Sequence, residues 1–204
     1  MEVDRPAPGE ELNPGRPTEP RPAATVILLR GGAERLEVLL VQRNPAARFM
    51  GGAWVFPGGA LDGSEDPRAA GVREVFEEAG VQLAGAEALV PFSRWITPAQ
   101  VRIRFDTHFF LAAAPDGVEP RPDGGETVGA EWWEPAAALA AFSRDELSLV
   151  FPTVKTLEQL SGFESADALL AWAEGREVVA IEPQVVRQGE VARVVLPGEP
   201  GYRG

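Results

Sequence analysis

Glu74, Glu77 and Glu78 stand at i, i+3 and i+4 in a stretch that reads as a helix, residues 67–79. That spacing brings three carboxylates onto one helical turn, where each like-charge pair costs about 0.2–0.5 kcal/mol. A hard divalent cation turns such repulsion into coordination, because Mg2+ or Mn2+ takes oxygen ligands and also accepts substrate phosphates. The competing reading is a solvated acidic face, the ordinary fate of charge runs on helices. Cysteine is absent and His108 is the single histidine, which excludes thiolate nucleophiles, Cys-ligated metals and multi-histidine sites.

The elements that must carry these carboxylates follow from local signals. Asp66-Pro67 is a capping side chain followed by proline at the first helical position, and Gly80 supplies a left-handed stop. On the helix between them, Val72, Val75, Phe76 and Ala79 share one face and the three glutamates the other, so one side should pack and the other remain acidic. Before the helix, ATVILLR (24–30) and LEVLLVQR (36–43) flank Gly31-Gly32 and read as a hairpin of buried strands. WVFPGG (54–59) reads as a strand ended by Pro57, RIRFDTHFFLAAA (102–114) as a central strand, and EWWEP (131–135) as the end of another. From about residue 136 the spacing turns helical: Ala136–Phe142, a capping-box pattern at Ser143 and Glu146, Thr153–Leu160, and Ser165 opening Ala166–Ala173. VARVVL (191–196) is the last strand candidate. Strands with interspersed helices, without repeats, favour a mixed α/β sandwich over a bundle.

The 204 residues suit one domain with decoration: a flexible Pro-rich arm over 1–22, then a single domain over 23–204 with a helical extension. No apolar run approaches the ~18 residues a bilayer span needs. With 19 basic and 31 acidic residues the net charge is −12, which repels nucleic-acid backbones and requires local cations or a metal for any anionic substrate. No signal peptide or peroxisomal ending is legible, so a cytoplasmic location is the default expectation.

Read from Gly59, GALDGSEDPRAAGVREVFEEAGV fits G-x5-E-x7-R-E-U-x-E-E-x-G-U, with U aliphatic, at every specified position. This resembles the Nudix box. The resemblance implies an α/β/α sandwich with a mixed sheet, and hydrolysis of a diphosphate that links a nucleoside to another moiety, with Mg2+ or Mn2+ as cofactor. It further implies Glu74 and Glu78 as principal metal ligands, Glu77 as a further ligand or base, and a carbonyl of Gly58 or Gly59 close to the metal. Arg73 would brace the carboxylates, Glu65 would fix the loop, and Gly80 would stop the helix. Some members add a carboxylate five residues before a Glu-Trp pair; Glu126 stands there, before Glu131-Trp132, with Glu119 and Glu131 as substitutes. A homodimer is a further family expectation.

Upstream, LLVQRNPAARFMGGAWVFPGG (39–59) is similar to the signature L-L-T-x-R-[SA]-x3-R-x3-G-x3-F-P-G-G of Nudix coenzyme A diphosphatases. Val41 and Asn44 depart from it. Arg43 and Arg48 are its informative part, since arginine forks pair well with phosphate oxygens and coenzyme A carries a 3′-phosphate beside its diphosphate. The expected reaction therefore gives 3′,5′-ADP and (acyl-)4′-phosphopantetheine. The alternatives are ADP-ribose, dinucleotides or nucleoside triphosphates on the same site, and a nucleotide-sensing module without catalysis. The five tryptophans read as core, and His108 as a sheet histidine, not as part of a Ser-His hydrolase.

Overall fold

The computed structural model describes residue 13 and residues 15–47, 50–188 and 191–203. Along the first long apolar run, Ala24, Val26 and Leu28 point to one side and Ile27 and Leu29 to the other, and all five are buried. A strand with no wet face belongs inside a sheet covered on both sides. In chain order the strands and helices are β1 (Arg21–Arg30), β2 (Glu37–Arg43), β3 (Trp54–Val55), β4 (Gly58–Ala60), α1 (Pro67–Ala79), β5 (Val90–Ile96), β6 (Phe105–Ala113), β7 (Thr127–Trp133), α2 (Pro135–Ser143), α3 (Phe151–Leu160), α4 (Ala166–Ala173), β8 (Ala180–Ile181), β9 (Gln184–Gln188) and β10 (Val191–Val195).

The main sheet is mixed, with the path β3-β2-β1-β6-β5-β8. β1 runs parallel to β6 from Arg21↔Phe105 to Leu29↔Ala113, and pairs antiparallel with β2 only at Leu29↔Val38 and Arg30↔Glu37. Beyond those pairs the two strands fork. The chain from Trp54 to Ala60 fills the fork, pairing with β2 through Val41↔Val55 and with β1 through Thr25↔Gly58 and Ala24↔Gly59. Pro57 therefore divides β3 from β4, where the sequence suggests a strand that simply ends. Its carbonyl accepts the Val26 N–H at 2.9 Å, so the ring sits where the segment changes partner strands.

α1 covers one face of the sheet, with Ala70, Val75 and Ala79 against Val26, Leu28, Leu39, Val41 and Phe110. α2, α3 and α4 cover the other, where Val154, Leu157, Leu160 and Leu169 meet Ile27, Leu29, Val38, Leu40 and Leu111. The C-terminal helices thus close the second layer of an α/β/α fold. Among the described residues no helix is long and apolar enough to cross a membrane.

Several local expectations are corrected. β5 escaped the sequence reading because Pro91, a bulge and Arg94 break its alternation; it pairs antiparallel with β6. Strand β6 begins at Phe105, because Arg104 turns inward, 8% exposed, and donates to the carbonyls of Thr97 and Thr18 and to Glu182 at 2.7–2.9 Å. Ser143 caps no following helix: its hydroxyl donates back to the Ala140 carbonyl, and Glu146 pairs with Arg144. Of the arm, residues 1–12 and 14 lie outside the described residues; β1 already starts at Arg21, and Thr18 donates to the Arg102 carbonyl.

Candidate active site

The Asp66 carboxylate accepts the Arg68 N–H at 2.9 Å, Pro67 enters the first turn, and Gly80 ends α1 at φ 64° with its N–H on the Phe76 carbonyl. These caps set where the helix begins and ends; the neighbouring strands set which way it faces, and the acidic face does not point to water as its pattern suggests. Glu74 is 8% and Glu78 3% exposed, both turned in toward β4, while Phe76 lies 54% exposed on the outside. The contact is close because position 59 lacks a side chain: a Cβ there would stand 2.5 Å from Glu74 Oε1.

Arg73 ties the turn together. One guanidinium nitrogen reaches Glu74 Oε1 and Glu77 Oε2 at 2.8 Å, and the rest of the fork holds Glu65 at 3.0–3.2 Å and the Ala60 carbonyl. Glu65 in turn accepts the Asp62 N–H, closing the loop that enters the helix. The fork from Arg73 holds the Glu65 carboxyl below its usual range, and Glu65 chiefly holds Arg73 above its own. Glu78 Oε2 accepts the Gly58 N–H at 2.9 Å. Burial pushes the Glu78 carboxyl up to about 7; the Gly58 N–H and Arg43 pull it down, and Glu74 and Glu126 push it up. Burial likewise raises Glu74, with Arg73 opposing and the charges of Glu77 and Glu126 adding.

Glu126 thus stands within electrostatic reach of both buried glutamates. Its loop is built by Asp123, whose carboxylate accepts the N–H groups of Gly125, Glu126 and Thr127 at 2.7–3.1 Å. Burial alone would raise Asp123; the Thr127 and Glu126 N–H groups, the Thr127 hydroxyl and the Gly125 N–H outweigh it and bring it down to about 2. The Thr127 hydroxyl lies 2.6 Å from the Glu78 carbonyl, pinning the loop to α1. Asn44 pins the other side: its N–H donates to the Glu126 carbonyl and its side-chain amide to that of Gly125. Asp123 is not among the residues the sequence singles out, although an Asp before Gly-Gly is the signal of an Asx-type turn, and Asn44, which departs from the upstream signature, has a structural task here. Val41, the other departure, is fully buried under α1.

A cavity of about 790 Å³ gathers Glu74, Glu77, Glu78, Glu126, Arg43 and Arg73, with Gly58, Gly59 and Asp123, at one end. Glu119 and Glu131 do not line it, and Arg48 lies outside the described residues. Trp95 is the single tryptophan on its wall, edge-on to Phe151. Asp106 is taken up in a two-pronged pair with Arg94 and the Ser93 hydroxyl has no partner among the described residues, so no Ser93–His108 relay forms.

Among the described residues no three acidic or histidine side chains already enclose a metal-sized point; the Arg73 guanidinium lies between Glu74 and Glu77 instead. The donors nevertheless fit a hard cation. Two buried carboxylates with raised pKa gain most from a positive charge, Glu77 is exposed and adjacent, and glycine at 59 leaves the room that a Cβ would fill.

Comparison with known proteins agrees with this geometry. A family model described as NUDIX domain matches residues 19–152. The human acyl-coenzyme A diphosphatase NUDT19 is 24% identical over an alignment covering 94% of this chain and 82% of that protein. A NUDIX hydrolase from Alicyclobacillus acidocaldarius superposes with a TM-score of 0.67 at 27% identity, over 76% of this chain and 96% of its own. A MutT NUDIX hydrolase from Burkholderia pseudomallei gives 0.55 at 25% identity, over 70% and 98%. With an intact box folded onto a helix between two sheet strands and a matched family model over most of its length, the chain belongs to the Nudix family and is a Nudix diphosphatase.

Proposed function

We propose that the chain hydrolyses coenzyme A or acyl-coenzyme A to 3′,5′-ADP and (acyl-)4′-phosphopantetheine, with Mg2+ or Mn2+ held by Glu74, Glu77, Glu78 and a carbonyl of Gly58 or Gly59. The observation that carries the reading is that Arg43, a matched position of the upstream signature, lines the same cavity as the box glutamates and acts electrostatically on Glu78. The alignment with a human acyl-coenzyme A diphosphatase over nearly the whole chain supports the same substrate class.

The cation, when bound, polarises a phosphoryl oxygen and lowers the pKa of water. The chain's own groups do the rest. Glu126, exposed on a loop fixed from three sides, takes the proton of the attacking water on its carboxylate. The water oxygen bonds to phosphorus, the bridging P–O bond breaks, and the bridging oxygen leaves with the other half. Arg43 and Arg48 hold phosphate oxygens, Arg73 keeps three glutamates in place, and Glu65 and Gly80 shape the loop and helix end.

The test is kcat/KM for coenzyme A, acetyl-coenzyme A, ADP-ribose, NADH and a nucleoside triphosphate with Mg2+. Preference for the two coenzyme A compounds is expected. Preference for any of the others overturns the substrate assignment and leaves the diphosphatase chemistry in place.

A further inference from the structure

The cavity has a second pole. Ala24 pairs with Gly59 beside Glu74, and three residues back along β1, roughly 10 Å at 3.3 Å per residue, stands Arg21. Arg21 lines the cavity next to its β6 partner Phe105, among the apolar surfaces of Trp95, Ile103 and Phe109. Ile103 is left 41% exposed there.

The arginines around it are committed. Arg104 spends its fork on Thr97, Thr18 and Glu182, Arg94 on Asp106, and Arg73 on three glutamates. Arg43 acts on Glu78, at the box end. Arg21 has no ion pair with the described residues and is exposed. In a chain of net charge −12, the apolar end of the cavity therefore carries a guanidinium that no carboxylate among the described residues engages. Its complement is a group with a flat apolar body and an anion outside the diphosphate.

We propose that Arg21 determines specificity by binding the 3′-phosphate of the substrate's adenosine, with the base against the ring faces at this end; the assignment rests on the coenzyme A reading above. Both phosphates hang from one ribose, so their sites must lie within a side chain's reach of each other, as the spacing along β1 allows. A guanidinium fork on a phosphate gives paired charge-assisted hydrogen bonds, and a site built for that group discriminates against the analogue lacking it. Arg43 is left to the diphosphate.

The test compares ligands that differ only in that phosphate. Calorimetry would measure 3′,5′-ADP against 5′-AMP, and kinetics would measure KM for coenzyme A against dephospho-coenzyme A, in wild type, Arg21→Gln and Arg21→Lys. Wild type should favour the 3′-phosphorylated ligand by roughly tenfold or more in both assays. Arg21→Gln should bring both ratios to within about twofold of one, and Arg21→Lys should keep part of the preference. Ratios that persist in Arg21→Gln, or a wild type indifferent to the 3′-phosphate while hydrolysing both compounds, would overturn the role of Arg21 alone. A wild type that hydrolyses ADP-ribose and neither coenzyme A compound would overturn the substrate reading itself.

Discussion

Glu78 is the residue on which most of the site's physics converges. It is almost fully buried, it takes one backbone N–H from Gly58, and burial drives its carboxyl up to about 7. A buried carboxyl pushed up this far, lining a cavity, marks a candidate functional group. Glu78→Gln keeps shape and the Gly58 contact, so turnover should fall at least about a thousandfold, and melting should stay within a few degrees because a neutral amide removes a buried charge. Glu126 offers a sharper separation. Its amide variant should lose roughly a hundredfold to a thousandfold in kcat if it takes the proton, whereas Glu131→Gln, outside the cavity, should leave kcat unchanged. Steady-state kinetics on the two variants decides it. At position 59, alanine would place a methyl 2.5 Å from Glu74 Oε1, so Gly59→Ala should cost activity far more than its two added hydrogens and carbon suggest.

At the scale of elements, the 123–127 loop owes its shape to one carboxylate. Asp123 has a folded pKa near 2 against an ordinary 3.8, so its contribution to stability is complete above about pH 4 and is lost as pH falls through 2. Melting curves of wild type and Asp123→Ala should therefore differ at neutral pH and converge between pH 4 and about 2; a difference independent of pH would contradict the capping role. This loop was half legible in advance. Asp-Gly-Gly announces a turn, but its docking onto Asn44 and the Glu78 carbonyl joins segments about 80 and 49 residues apart, which local patterns do not encode. α1, by contrast, was legible to its ends, because Asp66, Pro67 and Gly80 act within a few residues of themselves. Its orientation was not. Periodicity places Glu74 and Glu78 opposite Val72 and Phe76, yet only the neighbouring strands decide which polar residues are turned inward, and β4 came to α1 through a Pro57 crossing that reads as a strand end. Strand β5 was hidden by its bulge and its proline, and the inward turn of Arg104 shortened β6 for reasons that lie in residues 18, 97 and 182.

At the scale of the whole molecule, both layers reach the site: α1 brings the carboxylates, and the start of α3, with Phe151, Pro152 and Thr153, helps wall the cavity on the other face, where Val154, Leu157, Leu160 and Leu169 build the larger core. Leu157 is fully buried and does not line the cavity, so Leu157→Ala should cost about 2–5 kcal/mol in denaturant unfolding while leaving KM unchanged. The cavity itself gathers Glu74, Glu77, Glu78 and Glu126 with Arg21, Arg43 and Arg73, so in a protein of net charge −12 an anionic substrate needs the cation those carboxylates would hold as well as the arginines. The most direct test is product analysis of coenzyme A incubated with Mg2+ and either wild type or Glu78→Gln. Wild type should give 3′,5′-ADP and 4′-phosphopantetheine, and the variant none above background. Equal product from both proteins would contradict the assignment of the buried glutamates as the centre of the reaction.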